Sequence, residues 1–177
     1  AKSQPTFIAQ RWNLTPKNAK AYAQGKGSEP IKPIRFYVDD AFPSGWKAAI
    51  KQGVELWNKA FEQAGYLKAI EAVDFHTADK AFDPDNISFS CIRYVPSASE
   101  KVSSAFMANP QTGEIINATV LVYNDVVNTI DNWRLVQTAQ IDPAARAAQM
   151  PDNIVEETLE YIIAHEVGHT LGFMHNM

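Results

Sequence analysis

The chain has 177 residues, 46% of them hydrophobic and 20% charged, which suffices for one globular domain with a real core. A net charge of -4, with lysine and arginine scattered along the chain, leaves no basic stripe for nucleic acid and no polybasic anchor for anionic lipid. No apolar run reaches the roughly 18 residues that a membrane span needs.

Residues 1–33 hold Pro5, Pro16, Pro30 and Pro33 with Gly25 and Gly27 and show no sustained apolar period, which predicts an extended arm or linker. Its start lacks both an initiator methionine and the apolar core of a signal peptide, so it reads as a mature or excised piece. Phe7 and Trp12 are the residues expected to pin this arm to the domain surface.

From Pro33 the pattern changes. Ile34, Phe36 and Val38 alternate with Arg35 and Tyr37, the mark of a half-buried strand. Ser44 is the expected N-cap of one long helix, whose apolar residues Trp46, Ala49, Ile50, Val54, Trp57, Ala60, Phe61 and Ala64 recur at helical steps until Gly65. Residues 70–75 and 87–95 read as two further strands, separated by the turn Asp83-Pro84-Asp85-Asn86. In the second of these the alternation slips between Cys91 and Ile92, which means either a bulge or cover on both faces. Cys91 is the sole cysteine, so no internal disulfide forms, and its apolar neighbours suggest a buried thiol. His76 has no ligand-spaced neighbour and reads as structural or exposed.

Residues 103–109 and 114–123 bracket Pro110-Gln111-Thr112-Gly113, a hairpin signal in which Gly113 supplies a positive φ. The first of the pair is short and rich in small residues, as suits an edge strand. Such an edge either adds an extended peptide through Ala105, Phe106 and Met107 or merely closes the sheet. Asp125 begins a helix carrying Val126, Ile130, Trp133 and Val136, and residues 144–149 add a helical turn. Asp152 is the expected cap of a last helix with Glu156 and Glu157 near its positive end, running through Leu159, Ile162 and Ile163 into His165.

Three of the four histidines then fall within the stretch His165-Glu166-Val167-Gly168-His169-Thr170-Leu171-Gly172-Phe173-Met174-His175. On a helix His165 and His169 are i and i+4, so their imidazoles share one face. Gly172 has no Cβ and is free to end the helix in a left-handed conformation, which turns His175 back toward the other two. Three neutral imidazoles fill three tetrahedral positions around Zn2+ and leave the fourth for water. A bare H-E-x-x-H does occur by chance in unrelated helices, but three histidines, a glutamate and a glycine in these places exceed that.

The motif H-E-x-x-H-x-x-G-x-x-H resembles the zinc signature of the metzincin metalloproteases. The run from Pro33-Ile34-Arg35-Phe36-Tyr37-Val38-Asp39, through Trp57-Asn58-Lys59-Ala60-Phe61, to residues 164–177 is similar to the protease domain of large bacterial zinc-dependent metalloproteases. This resemblance implies an α+β fold: a twisted mixed sheet of about four to five strands packed on a long helix and on the zinc-binding helix. It divides the chain into an arm, residues 1–32, and an upper protease subdomain, residues 33–177, that stops just after the third ligand. The metzincin methionine turn lies well downstream of the third histidine, and Met174 and Met177 sit too close to His175 to fill that place. The lower subdomain and other parent domains are therefore expected outside this sequence, with the excised piece weakly active or inactive. The resemblance further implies zinc held by His165, His169 and His175, Glu166 as general base, a peptide or protein substrate, and a secreted, periplasmic or cell-surface location. Two readings without catalysis stand beside it: a zinc module closed by a fourth ligand, with Cys91 the only thiol available, and a peptide-binding module.

Overall fold

The alternating segments predicted above assemble into one sheet in a computed structural model that describes residues 7–78, 80–147 and 150–175. Its strands are Ile34–Val38 (β1), Ile70–Asp74 (β2), Ser90–Val95 (β3), Val102–Ala108 (β4) and Ile115–Tyr123 (β5). Their spatial order is β2-β1-β3-β5-β4, with every pair parallel except the β4–β5 hairpin. The helices are Ala19–Ala23 (α1), Ser44–Glu55 (α2), Asn58–Gln63 (α3), Val126–Thr138 (α4) and Asp152–Thr170 (α5). The expected mixed α+β class is what is observed. Helices α2 and α5 pack on each other and on the sheet, α2 over β1 and β2, α5 over β4 and β5. Phe36, Val38, Ile50, Val54, Ile92, Val120, Leu159 and Ile163 fill the space between them and are fully buried. None of the described helices is long and apolar enough to cross a membrane.

Several local expectations need correction. The single long helix is two, because Leu56 and Trp57 interrupt it while keeping right-handed dihedrals. Tertiary bonds supply the reason: the Trp57 indole turns to helix α5, and the Asn58 side chain both donates to the Ile70 carbonyl and accepts from the Ile70 N–H. Ser44 and Asp152 are first helical residues, and the N-caps are Pro43 and Pro151. Both prolines hold an extended ψ while their carbonyls accept the first helical N–H, from Lys47 and from Val155. Asp125 does precede α4, but its carboxylate takes the Asn124 amide and caps no helical N–H.

The third strand starts at Ser90, later than residue 87. The Ser88 N–H goes to the Asn86 side chain and the carbonyls of Ile87 and Phe89 go to the Asn117 amide, so these groups are satisfied outside the ladder. At Cys91 and Ile92 the register runs unbroken and both residues are buried, so the slip in alternation marks cover on both faces. The irregularity sits at Met107/Ala108 in the hairpin, where Gly113 has the expected positive φ of 73°. Tyr37 is likewise buried, because Phe82 and Phe89 cover the outer face of β1. The helical turn expected at 144–149 is a 3-10 turn at Pro143–Arg146, and residues 148 and 149 lie outside the described residues.

The N-terminal segment is more built than an extended arm. It carries α1 and isolated bridges that join Arg11 to Glu114, Pro16 to Pro30 and Ser28 to Tyr66. Trp12 does pin it, through an indole bond of 2.9 Å to the Thr170 carbonyl. Phe7 does not, being 91% exposed.

Candidate metal centre

Helix α5 lies against the sheet with one face buried, Val155, Leu159, Ile163 and Val167 on its core side. Burial of that face fixes its rotation and carries His165 and His169 together toward one exposed flank. The helix then ends in a Schellman motif: Leu171 is the C-cap, Gly172 has φ 97°, the Phe173 N–H bonds the Gly168 carbonyl, and the Gly172 N–H bonds the His169 carbonyl. Glycine is required here twice over, since a Cβ would also stand 2.5 Å from the Gln10 carbonyl oxygen of the arm.

This reversal brings His175 back. The Nε2 atoms of His165, His169 and His175 form a triangle with sides of 3.0, 3.1 and 3.1 Å. Nitrogens bound to one ion at about 2.0–2.1 Å in tetrahedral directions would lie roughly 3.3 Å apart, so the triangle is of the size a zinc ion fits. His169 Nδ1 faces the Phe173 carbonyl oxygen at 2.9 Å, which assigns that nitrogen the proton and leaves Nε2 a bare lone pair. Lone pairs converging in this way repel unless a cation or proton lies between them. Among the described residues no cysteine, aspartate or glutamate joins the three histidines as a ligand-spaced fourth.

Cys91 in particular lies elsewhere, with its Sγ directed at the carbonyls of Pro84 and Phe89. Burial pushes its thiol up to about 11, so it stays protonated.

Glu166 is no part of the triangle, and its Oε2 accepts from Ser104 Oγ of the edge strand at 2.6 Å. The strand positions singled out earlier divide by pleat. Ala105 and Met107 are exposed, whereas Phe106 packs against the core with Val102. Any peptide contact by this strand would therefore use its backbone and its outer side chains.

The two edges of the sheet differ. On β2 the side chains of Asn58 and Glu55 take the backbone groups of Ile70 and Ala72. On β4, among the described residues, no side chain bonds the backbone. The open edge is the one beside Glu166.

Three residues that shape this site escaped the sequence reading. Trp57 donates its indole N–H to the Ala164 carbonyl and stacks on Phe173 at 5.5 Å, Phe173 lends a carbonyl to His169, and Ser104 binds Glu166. The partners of Trp57 and Ser104 lie 62 to 116 residues away in sequence, so helical or strand periodicity carries no trace of them.

Residues 147–177, which include α5 and all three histidines, match a family model described as Met-zincin. No curated protein and no solved structure gives a significant match. The segment that carries the three clustered histidines is thus similar to metzincin-type zinc metalloproteases.

Proposed function

We propose that the chain is the metal-bearing part of a zinc metalloendopeptidase, in which His165, His169 and His175 hold zinc and Glu166 is the general base. The observation that carries this reading is the closed triangle of Nε2 atoms beside a carboxylate that is no part of it. Zinc in such a site supplies an acidified water and a Lewis acid for the scissile carbonyl. Glu166 takes the proton of the attacking water and returns it to the leaving amine. The Phe173 carbonyl keeps His169 in the tautomer that presents Nε2. An extended substrate pairs with the free backbone of Ala105, Phe106 and Met107. In this reading residues 33–177 form the upper protease subdomain, residues 1–32 form the segment before it, whose described part, residues 7–32, is laid along it, and further parent domains complete the substrate cleft.

The buried, protonated thiol of Cys91 favours this open site over a zinc module closed by cysteine. Glu166→Gln in the zinc-loaded full-length parent is the test, with metal content measured by elemental analysis and cleavage followed on casein. Full zinc with no cleavage is expected. Cleavage at the unaltered rate removes Glu166 as the base, and absence of zinc from the unaltered protein removes the enzyme reading.

A further inference from the structure

We infer that Ser104 is a positioning residue for Glu166: its hydroxyl holds one carboxylate oxygen and so sets which oxygen is open to a proton. The inference rests on the metalloendopeptidase reading and adds a residue to it.

Ser104 Oγ donates to Glu166 Oε2 at 2.6 Å, the length of a charge-assisted O–H···O⁻ bond. Among the described residues this is the one hydrogen bond or ion pair that the Glu166 side chain makes. A glutamate on a helix has three side-chain torsions, and without that contact nothing polar fixes the last of them. Ser104 is itself well fixed. It lies in register with Val120 of β5, on the face of β4 that Val102 and Phe106 turn to the core. Ser103 and Ala105 project to the other face and cannot substitute for it. With Oε2 occupied, Oε1 is the oxygen left to receive a proton. The strand that orients the base is also the open edge, so a peptide adding to β4 steadies the Ser104 backbone and the carboxylate together. Length of substrate would then appear in kcat as well as in KM.

A merely structural serine would satisfy a half-buried carboxylate and do nothing more. Threonine and valine separate the two roles, because both suit a strand and they differ by one hydroxyl. The experiment uses the cobalt-loaded protein and titrates acetohydroxamate by the visible spectrum of the metal, since a bound hydroxamate presents a hydroxyl to the neighbouring carboxylate. Ser104→Thr should bind it within about threefold of the unaltered protein, and Ser104→Val and Ser104→Ala about tenfold more weakly, the scale of one hydrogen bond to a charged group. Cobalt affinity should not change. In a Glu166→Gln background the Ser104 substitutions should have no further effect.

Equal acetohydroxamate affinity in Ser104→Val and Ser104→Thr overturns the inference while leaving the metal site standing. So does a Ser104→Val defect that persists undiminished when it is combined with Glu166→Gln. Failure of the unaltered protein to take up cobalt at the three histidines overturns the metalloendopeptidase reading, and this inference with it.

Discussion

The indole N–H of Trp57 donates to the carbonyl of Ala164, the residue immediately before His165, at 2.8 Å. The same ring stacks on Phe173 at 5.5 Å and lies where a Cβ on Gly168 would meet it at 2.8 Å. One side chain therefore touches helix α5 before His165, between His165 and His169, and beyond the turn that returns His175.

Trp57→Phe keeps the stack and loses the donor. It is expected to lower stability by about 1 kcal/mol, the net worth of one hydrogen bond, and to leave zinc affinity within about threefold. Trp57→Ala removes the stack as well and should weaken zinc about tenfold, as loss of an outer support of a ligand does. Urea titration and competition with a zinc chelator measure the two effects. Equal zinc affinity in both variants would detach Trp57 from the metal site.

Close approach of α2 and α5 depends on Gly53, where a Cβ would stand 2.6 Å from the Glu160 carbonyl oxygen and 3.0 Å from Ile163. Since the first neighbour is backbone, the helices themselves must part. Gly53→Ala should destabilise by about 1–3 kcal/mol, as overpacking does. Gly25→Ala is the contrast: nothing lies within 4 Å, but φ is 73°, so about 1 kcal/mol of backbone strain is expected. A smaller loss at Gly53 than at Gly25 would show that the helix pair yields easily.

Asp40 carries a pH signature. The Lys47 ammonium at 2.6 Å, helped against burial by His76, holds its carboxyl at about 2 in place of 3.8. A carboxylate depressed in the folded state contributes stability that is present above its unfolded value and is lost as pH falls through the folded one. The window thus runs from about pH 4 down to about pH 2. Asp74 is lowered as well: burial works the other way, and the ammonium bonds from Lys51 and Lys47 outweigh it. Asp40→Asn should flatten the fall in urea midpoint across that window. Parallel curves for the two proteins would mean that the pair is idle in solution.

Metal removal gives a fourth expectation. Zinc at about 100 times its dissociation constant adds about 2.7 kcal/mol to unfolding if it binds only the folded chain, and a chelator takes it away. Alanine at His165, His169 or His175 should each abolish that increment. A zinc-dependent rise in Tm that survives all three substitutions would place the ion elsewhere.

Much of this was legible in the residues themselves. Ile34, Phe36 and Val38 announce β1 because a pleat alternates, and Gly113 and Gly172 stand where left-handed turns are needed. The histidine spacing predicts the shared face of α5 for the same local reason. What stayed hidden is tertiary. The break at Leu56 and Trp57 has helical dihedrals on both residues and an unbroken apolar pattern, and its causes are a carbonyl 107 residues away and the backbone of Ile70 on the sheet. The Ser104 contact spans 62 residues and joins a strand to a helix, two periods that say nothing of each other.

The bare flank of β4 has a practical side. Unpaired strand edges are where folded proteins stick to one another, and the usual remedies are a lysine, a proline or a bulge along the edge. In this molecule the opposite flank is already stoppered by Asn58 and Glu55, so β4 is the natural place for copies to zip together in concentrated solution. Any engineer who blunts it to improve handling would be blunting the strand that runs past Glu166, and on the proposed peptidase reading solubility and turnover would be traded against each other at the same few backbone amides.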